Sequence, residues 1–180
     1  NYLAPVHLSD TLGRFRRAHP NCDLSLVLGM SSEMLEALDR GELDLVIANP
    51  EGAKGRLLWE DKLVWIGKES LCVEEEEEVD LVLMPSPCSY RALAFDLLTK
   101  VGRAWKMSIE ANSVEAVCSA VDAGLGVSVL PFSAVADRET IIEGILPELP
   151  NTSVMSFSNP DSPNPYLERF LEILLDSIES

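Results

Sequence analysis

The sequence is short of positive charge: 14 lysine and arginine residues stand against 30 aspartate and glutamate residues in a chain of 180. The formal net charge is −16 and the sequence pI is about 4.4. Such a surface repels phosphate backbones, so we do not expect this chain by itself to bind nucleic acid. The glutamate run at 74–78 is interpreted as a solvated segment rather than a cation site, because no other ligands converge on it in the sequence.

Metal-binding, redox and catalytic patterns are also missing. Neither of the two histidines, His7 and His19, has a partner at metal-ligand spacing, and the four cysteines contain no CxxC pair. That cysteine usage is typical of reduced cytosolic thiols. No carboxylate pair, Ser/His/Asp set or Cys/His set converges by sequence. We therefore expect a cytoplasmic protein with no metal, no cofactor and no enzymatic activity.

Long hydrophobic runs are absent too, since no apolar stretch approaches the roughly 20 residues that a membrane helix needs. Apolar residues nevertheless make up 47% of the chain, which is typical of a globular protein. The length suits one ordinary domain or two small lobes that share strands. The pattern of these apolar residues then indicates the fold class.

The clearest pattern is a strand–helix–strand unit in the first third of the chain. Alternating leucines predict a strand over 24–29. Ser31 or Ser32 is placed to cap a helix, Gly41 is placed to end it, and the apolar run 43–48 predicts a second strand. In an open parallel sheet, ligands bind beyond the carboxyl ends of the strands, at helix N-termini.

A similar unit returns in the second half of the chain. Residues 107–110 predict a strand, Asn112 is placed to cap a helix with Glu115 completing a capping box, and Gly124 ends that helix before a strand over 126–130. Two units built alike predict two lobes of α/β structure whose helix N-termini face a shared cleft.

The remaining elements complete these lobes. A helix over 3–18 has no strand before it, so we expect the sequence to begin inside a longer polypeptide. The other predictions, in chain order, are a crossing strand over 62–67, a strand over 81–84, a helix with Ser86 as cap, Pro87 at its first position and Gly102 at its end, and a return strand over 153–158. A last helix from Asn164 packs on the first lobe through an apolar stripe of Leu167, Phe170, Leu171, Leu174, Leu175 and Ile178.

Three stretches of the chain carry a resemblance to a known family. The segments RFRRAHPNCDLSLVLG, SSEMLEALDRGELDLVIA and NSVEAVCSAVDAGLGVSVLP, in this order, resemble the effector-binding domain of a LysR-type transcriptional regulator. The likeness covers nearly the whole chain, and CSYRALAFDLLTKVGRAWK is similar to one subgroup that includes repressors of motility genes.

The resemblance implies two Rossmann-like α/β lobes joined by two crossing strands, as in type 2 periplasmic binding proteins. Lobe I would comprise 1–66 and 154–180, and lobe II would comprise 67–153. It also implies a small-molecule effector between the lobes. The implied contact residues are Ser31, Ser32, Asn49, Trp65, Ser86, Ser89, Tyr90, Asn112 and Ser113, with Tyr2 near the pocket.

Each implied contact has a structural alternative. Ser31, Ser32 and Asn112 would serve only as N-caps under that alternative. Arg91 would either pair with an anionic effector or be an ordinary exposed helical arginine.

The resemblance further implies a ligand-sensing regulatory domain that forms antiparallel homodimers. The helix over 3–18 would face the partner's helix over 113–123, flanked by the strands 24–29 and 126–130. DNA would be contacted only through a winged helix-turn-helix outside this sequence, and no membrane is implied. The alternatives are a solute-binding protein of a transport system, which shares the architecture, and a dimerisation module with a vestigial cleft.

Overall fold

A computed structural model describes residues 5–49, 55–71, 78–135, 140–159 and 164–179. The chain divides into two compact units: unit 1 is Asn1–Glu60 with Ser153–Ser180, and unit 2 is Asp61–Thr152. The chain leaves unit 1 within strand β2 (Arg56–Ile66) and returns within strand β7 (Asn151–Ser158). The lobe limits at 66 and 153, which the family resemblance implies, stay predictions.

Unit 1 is built on a short antiparallel pair of strands. Strand β1 (Leu45–Ala48) pairs with β7, with Leu45 opposite Ser158 and Ala48 opposite Met155. Successive side chains of a strand point to opposite faces. Leu45 and Ile47 accordingly join one apolar cluster and Val46 and Ala48 another.

Three helices cover this pair of strands. They are α1 (Pro5–Ala18), α2 (Ser31–Asp39) and α5 (Pro165–Glu179). Helices α1 and α5 meet through Phe15 and Phe170, whose rings pack edge to face with centroids 5.5 Å apart, and Leu38 of α2 lies in the other cluster. The prediction that the last helix packs on the first lobe is confirmed.

The strand predicted over 24–29 is wrong. Between α1 and α2 the described chain forms no strand, and Leu24, Leu26, Val27 and Leu28 are exposed, Leu28 to 78%. A segment becomes a strand only where a neighbouring strand exchanges backbone hydrogen bonds with it. Among the residues that the structure describes, no strand pairs with this segment. The alternating pattern predicted the side-chain periodicity but not the partner.

Unit 2 combines a parallel and an antiparallel pairing. Strands β3 (Val79–Leu83) and β4 (Trp105–Glu110) run parallel, while β2 pairs antiparallel with β5 (Ser128–Pro131) and with the short β6 (Ile141–Ile142). A parallel bridge joins Leu81 to Val127 just before β5. Helix α3 (Ser89–Lys100) follows β3 and helix α4 (Val114–Asp122) follows β4. Single 3-10 turns lie at Glu69–Leu71 and Phe132–Ala134.

The core of unit 2 lies on both faces of its strands. Leu81 and Leu83 of β3 pack in one cluster with Leu98 of α3. Val82, which points to the other face, packs with Val121 of α4 in a second cluster. All five side chains are at most 2% exposed, and burying each contributes roughly 1.5–3 kcal/mol before entropy is subtracted. Unit 2 is therefore a layered α/β structure, as the sequence predicted.

The predicted helix ends are confirmed. Gly41, Gly102 and Gly124 follow α2, α3 and α4 with φ values of 74°, 72° and 78°. A positive φ is nearly free of strain only for glycine, which explains why these helices end there. None of the described helices combines the length and apolar character required to cross a membrane.

The predicted helix beginnings are less accurate. Helix α3 does not begin at Pro87 behind a Ser86 cap. Its first hydrogen bond runs from Ala92 N to Cys88 O at 3.2 Å, and Cys88 is its N-cap. The Ser-Pro pair instead belongs to the turn that follows β3. Several neighbouring polar residues could each serve as the N-cap. The position of the first backbone hydrogen bond decides which residue is the cap.

The other two N-caps differ from the prediction for the same reason. In α2, Met34 N donates to Met30 O at 3.0 Å, so Met30 is the N-cap, and its side chain makes no cap hydrogen bond. In α4, the Ser113 hydroxyl accepts a hydrogen bond from Ala116 N at 3.2 Å. Ser113 is thus the cap, one residue later than the predicted Asn112.

Candidate functional site

In unit 1 the predicted site residues lie at two element ends. Ser31 and Ser32 are the first two residues of α2, Ser31 half-buried and Ser32 exposed. Asn49 directly follows β1 and is half-buried. Because Met30 is the N-cap of this helix, the interpretation of the two serines as caps alone is wrong.

In unit 2 the parallel pairing brings the ends of two strands to one edge. Leu83 lies opposite Glu110, and Ala111 N donates to Leu83 O at 3.0 Å. The turns that follow β3 and β4 lead from this edge into α3 and α4. The predicted polar residues on these turns and helix starts are the exposed Ser86 and Asn112 and the half-buried Ser89 and Ser113.

Two predicted aromatic site residues lie in the core of unit 2. Trp65 is 3% exposed, and its indole Nε1 donates to Pro147 O at 2.8 Å. Tyr90 is 9% exposed and belongs to the same apolar cluster. Both side chains are therefore part of the core, and their contact with a ligand stays a prediction.

Arg91, in the first turn of α3, is held by three contacts. Its Nη1 donates to Glu110 Oε2 and, at 3.2 Å, to Met84 O. Its guanidinium also lies 5.5 Å from the ring centroid of Phe95. The side chain of Arg91 is 20% exposed and that of Glu110 is 53% exposed. Arg91 is therefore a fixed cation at the carboxyl edge of β3 and β4.

Sequence reasoning singled out Arg91 but missed Glu110. A usable signal was present, because Glu110 ends the predicted strand 107–110 and Arg91 lies in the helix after the neighbouring strand. Parallel pairing of those two strands places both residues at the same edge. The sequence of a strand, however, does not predict which other strand it pairs with.

Other chemistry is sparse in the described residues. No group of three or more His, Cys, Asp or Glu side chains in them could hold a metal ion. Cys22, Cys88 and Cys118 are free thiols. Two predictions, on Tyr2 and on residues 74–77 of the glutamate run, fall outside the described residues.

The resolved pKa shifts in the described residues arise from exposed ion pairs. A hydrogen bond from Arg40 lowers the pKa of Glu42. Hydrogen bonds to Asp80 and Glu78 raise the pKa of Lys106. These groups lie on the surface in simple charge pairs, so the shifts reflect pairing and not an acid–base site.

Unit 1 also has an open depression of about 210 Å³ near the end of α1. None of the predicted site residues lines it. The lining residues are Arg16, His19, Pro20, Cys22, Asp23 and Leu24.

Comparison with known families identifies the chain. The family described as LysR substrate binding domain matches residues 1–179. The chain belongs to the LysR family. This confirms the resemblance inferred from the three sequence segments.

The curated relatives of this LysR domain are transcriptional regulators. The HTH-type transcriptional regulator PecT of Dickeya dadantii is 33% identical over 157 residues, which are 85% of this chain and 50% of PecT. The chain thus spans about half the length of the curated relatives it matches.

Solved structures show the same fold. The regulatory domain of CcmR from Synechocystis, in complex with 2-PG, superposes with a TM-score of 0.73 at 18% identity, covering 96% of this chain and 91% of that one. The effector binding domain of QuiR, in complex with shikimate, gives a TM-score of 0.70 at 16% identity, covering 96% and 90%. The predicted fold class, α/β of the type 2 periplasmic-binding-protein kind, is confirmed.

Proposed function

We propose that this LysR domain is the ligand-sensing part of a bacterial transcriptional regulator and binds a small-molecule effector. The family match over residues 1–179 carries the proposal. Related domains support it, since QuiR was solved with shikimate and CcmR with 2-PG. The domain itself is not an enzyme, acts in the cytoplasm and leaves DNA contact to a winged helix-turn-helix of the full-length protein. Its net charge of −16 agrees with that division of labour.

Each unit has polar groups at element ends that we propose as effector contacts. Unit 1 contributes hydroxyl and amide groups at the start of α2 and the end of β1, and unit 2 contributes them at the edge shared by β3 and β4. The first turn of a helix carries backbone N–H groups without a partner inside the helix, and such groups favour an anionic or polar ligand. The proposed contacts are Ser31, Ser32, Asn49, Ser86, Ser89, Asn112 and Ser113, with Trp65 and Tyr90 supporting the edge from the core.

The effector acts by favouring one arrangement of the domain over another. A ligand shifts such an equilibrium only by its difference in affinity for the two states. A tenfold preference corresponds to about 1.4 kcal/mol, and moving nearly the whole population requires about 5.5 kcal/mol. The shift reaches the DNA-binding part of the protein through the dimer.

The test of the effector proposal is a thermal-shift screen of cellular metabolites on the domain, repeated with variants. Ser32→Ala and Asn112→Ala suit this purpose because both residues are exposed and neither is an N-cap. The control is Ser70→Ala, an exposed serine outside the proposed site. A metabolite whose stabilisation falls in both variants but not in the control supports the site. A metabolite that stabilises the unchanged domain and all three variants equally would rule out the proposed site.

The domain also forms an antiparallel homodimer through the helices at 3–18 and 113–123, flanked by the segments 24–29 and 126–130. The exposed apolar run from Leu24 to Leu28 supports this proposal, because a soluble monomer rarely leaves adjacent large apolar side chains in water. Charges add to it. Arg16 and Arg17 end α1, whereas Glu115 lies in the first turn of α4, so opposite charges meet when the two helices run antiparallel.

Sedimentation of the Leu28→Asp variant tests this interface. Leu28 is 78% exposed, so a charge there leaves the fold of the protomer intact and removes apolar area from the dimer. Val101→Asp is the matched control, because Val101 is 60% exposed and lies outside the proposed surface. We expect Leu28→Asp to sediment as a monomer at concentrations where the control is a dimer. Equal association of both variants would rule out this surface.

A further inference from the structure

The contacts of Arg91 differ in how firmly the partner group is held in place. Met84 contributes a backbone carbonyl, and Phe95 contributes a ring that is itself fixed. The Phe95 ring stacks on Trp105 with centroids 4.1 Å apart and planes 7° apart. Trp105 in turn donates through Nε1 to the Thr99 hydroxyl at 3.1 Å. None of these contacts involves the Glu110 side chain, so we expect them to position the guanidinium without it.

Glu110 is the exchangeable partner. Its side chain is 53% exposed, so its carboxylate can rotate into water at little cost. Within the part of the chain that the structure describes, both hydrogen bonds of Arg91 leave from Nη1. A guanidinium has five N–H donors in a planar fork that matches a carboxylate. A second carboxylate that took the place of Glu110 would find the donor already oriented.

We propose that Glu110 is an internal carboxylate that occupies Arg91 in the absence of ligand, and that a ligand carboxylate binds unit 2 by exchanging with it. Arg91 and Glu110 would then determine specificity at the effector site, an assignment that rests on the proposed function. The tethered carboxylate competes at high effective concentration, and the net charge of −16 opposes anions at long range. Simple carboxylates therefore bind weakly unless further contacts help them displace Glu110.

Removal of the competitor tests the exchange. Acetate is titrated into the domain while the Nε–Hε NMR signal of Arg91 is followed in the unchanged chain, in Glu110→Gln and in Glu115→Gln. Glu115 is an exposed glutamate of the same unit, so its variant controls for the loss of one negative charge. We expect Glu110→Gln to lower the acetate concentration at the midpoint about tenfold, the effect of freeing one charge-assisted hydrogen bond. Glu115→Gln should leave the midpoint unchanged.

A neutral analogue and a double variant complete the test. Acetamide should bind no better to Glu110→Gln than to the unchanged chain, because it lacks the charge that the guanidinium selects. In Arg91→Gln/Glu110→Gln the stabilisation by acetate, measured by thermal shift, should disappear. An equal acetate midpoint in the unchanged chain and in Glu110→Gln would overturn the proposal, as would an equal gain in Glu115→Gln.

These results separate the inference from the proposed function. Metabolites that stabilise the domain through Ser32 and Asn112, together with no acetate effect at Arg91, would overturn only the exchange of carboxylates. An acetate effect confined to Glu110→Gln, with no metabolite hit, would retain the exchange and count against the sensing role.

Discussion

Residues 21–50 of unit 1 and 105–131 of unit 2 carry similar sequence patterns but fold differently. In unit 2 the pattern becomes β4, α4 and β5, whereas in unit 1 it becomes only α2 and β1. Strand β4 lies beside β3 over five paired positions from Val79 to Leu83. The leucines of 24–28 have no such neighbour among the described residues and stay exposed. An alternating apolar pattern is therefore compatible with a strand, but the strand forms only where a neighbouring strand hydrogen-bonds to it.

The first helix turns of these two regions also differ. Ser113 caps α4 with a side-chain hydrogen bond, whereas α2 begins after Met30 with no side-chain cap. Ser31 and Ser32 follow this N-cap as the first two residues of α2. Of the two helices, only α4 has an N-cap residue whose side chain bonds to its first turn.

The largest expected contrast lies between a core leucine of unit 2 and an exposed leucine of unit 1. Leu81 in β3 is 0% exposed and Leu28 is 78% exposed. We expect Leu81→Ala to lower the free energy of unfolding by about 2–5 kcal/mol, and Leu28→Ala to change it by no more than about 0.5 kcal/mol. Urea unfolding followed by circular dichroism measures both. A large loss for Leu28→Ala in the dilute monomer would mean that the 24–28 segment is packed in solution after all.

A smaller contrast is expected at the helix starts. Ser113→Ala removes the hydrogen bond to Ala116 N and should cost about 1 kcal/mol. Ser32→Ala removes an exposed hydroxyl without a capping role and should stay within about 0.5 kcal/mol. The same urea experiment compares them. Equal costs would show that α2 uses Ser32 as a cap, contrary to the described N-terminus.

In unit 1 a weak pH dependence is expected on the acid side. The hydrogen bond from Arg40 lowers the pKa of Glu42 below its ordinary 4.5. A depressed carboxyl pKa contributes stability that is present above the ordinary value and is lost as the pH falls through the lowered one. The difference in urea midpoint between the unchanged chain and Glu42→Gln should therefore shrink as the solution is acidified. A difference that stays constant down to full protonation would show that the pair adds nothing.

In unit 2 the corresponding effect lies on the alkaline side and is the smallest expected. Hydrogen bonds to Asp80 and Glu78 raise the pKa of Lys106 above its ordinary 10.5. That contribution is complete below the ordinary value and is lost as the pH rises through the raised one. Lys106→Gln should differ from the unchanged chain at neutral pH and converge with it in strong alkali. Persistence of the difference there would trace it to packing of the lysine stem.

Much of the fold was predictable because its signals are local. Gly41, Gly102 and Gly124 end helices where the sequence placed the ends, since the backbone conformation they adopt is open mainly to glycine. The apolar stripe of α5 likewise predicted burial of Phe170, Leu171 and Leu174. Three predicted helix starts were off by one or two residues, because Ser and Asn can cap from several neighbouring positions.

The candidate site was predictable only in part. Sequence placed Ser31, Asn49, Ser89 and Asn112 at element ends, where the structure also has them. It did not foresee that the Trp65 indole donates to Pro147. Contacts of that kind join residues far apart in the chain, and no local pattern records them.

The sequence by itself determined the period of each helix, the glycine stops, the negative surface and the family to which the chain belongs. Tertiary structure alone decided which apolar segments became strands, which polar residue capped each helix, and that Glu110 meets Arg91 across two elements. The physical reason is the range of the interactions. Backbone conformation and side-chain periodicity depend on neighbours within a few residues, whereas strand pairing and ion pairing depend on partners that only the folded chain brings together.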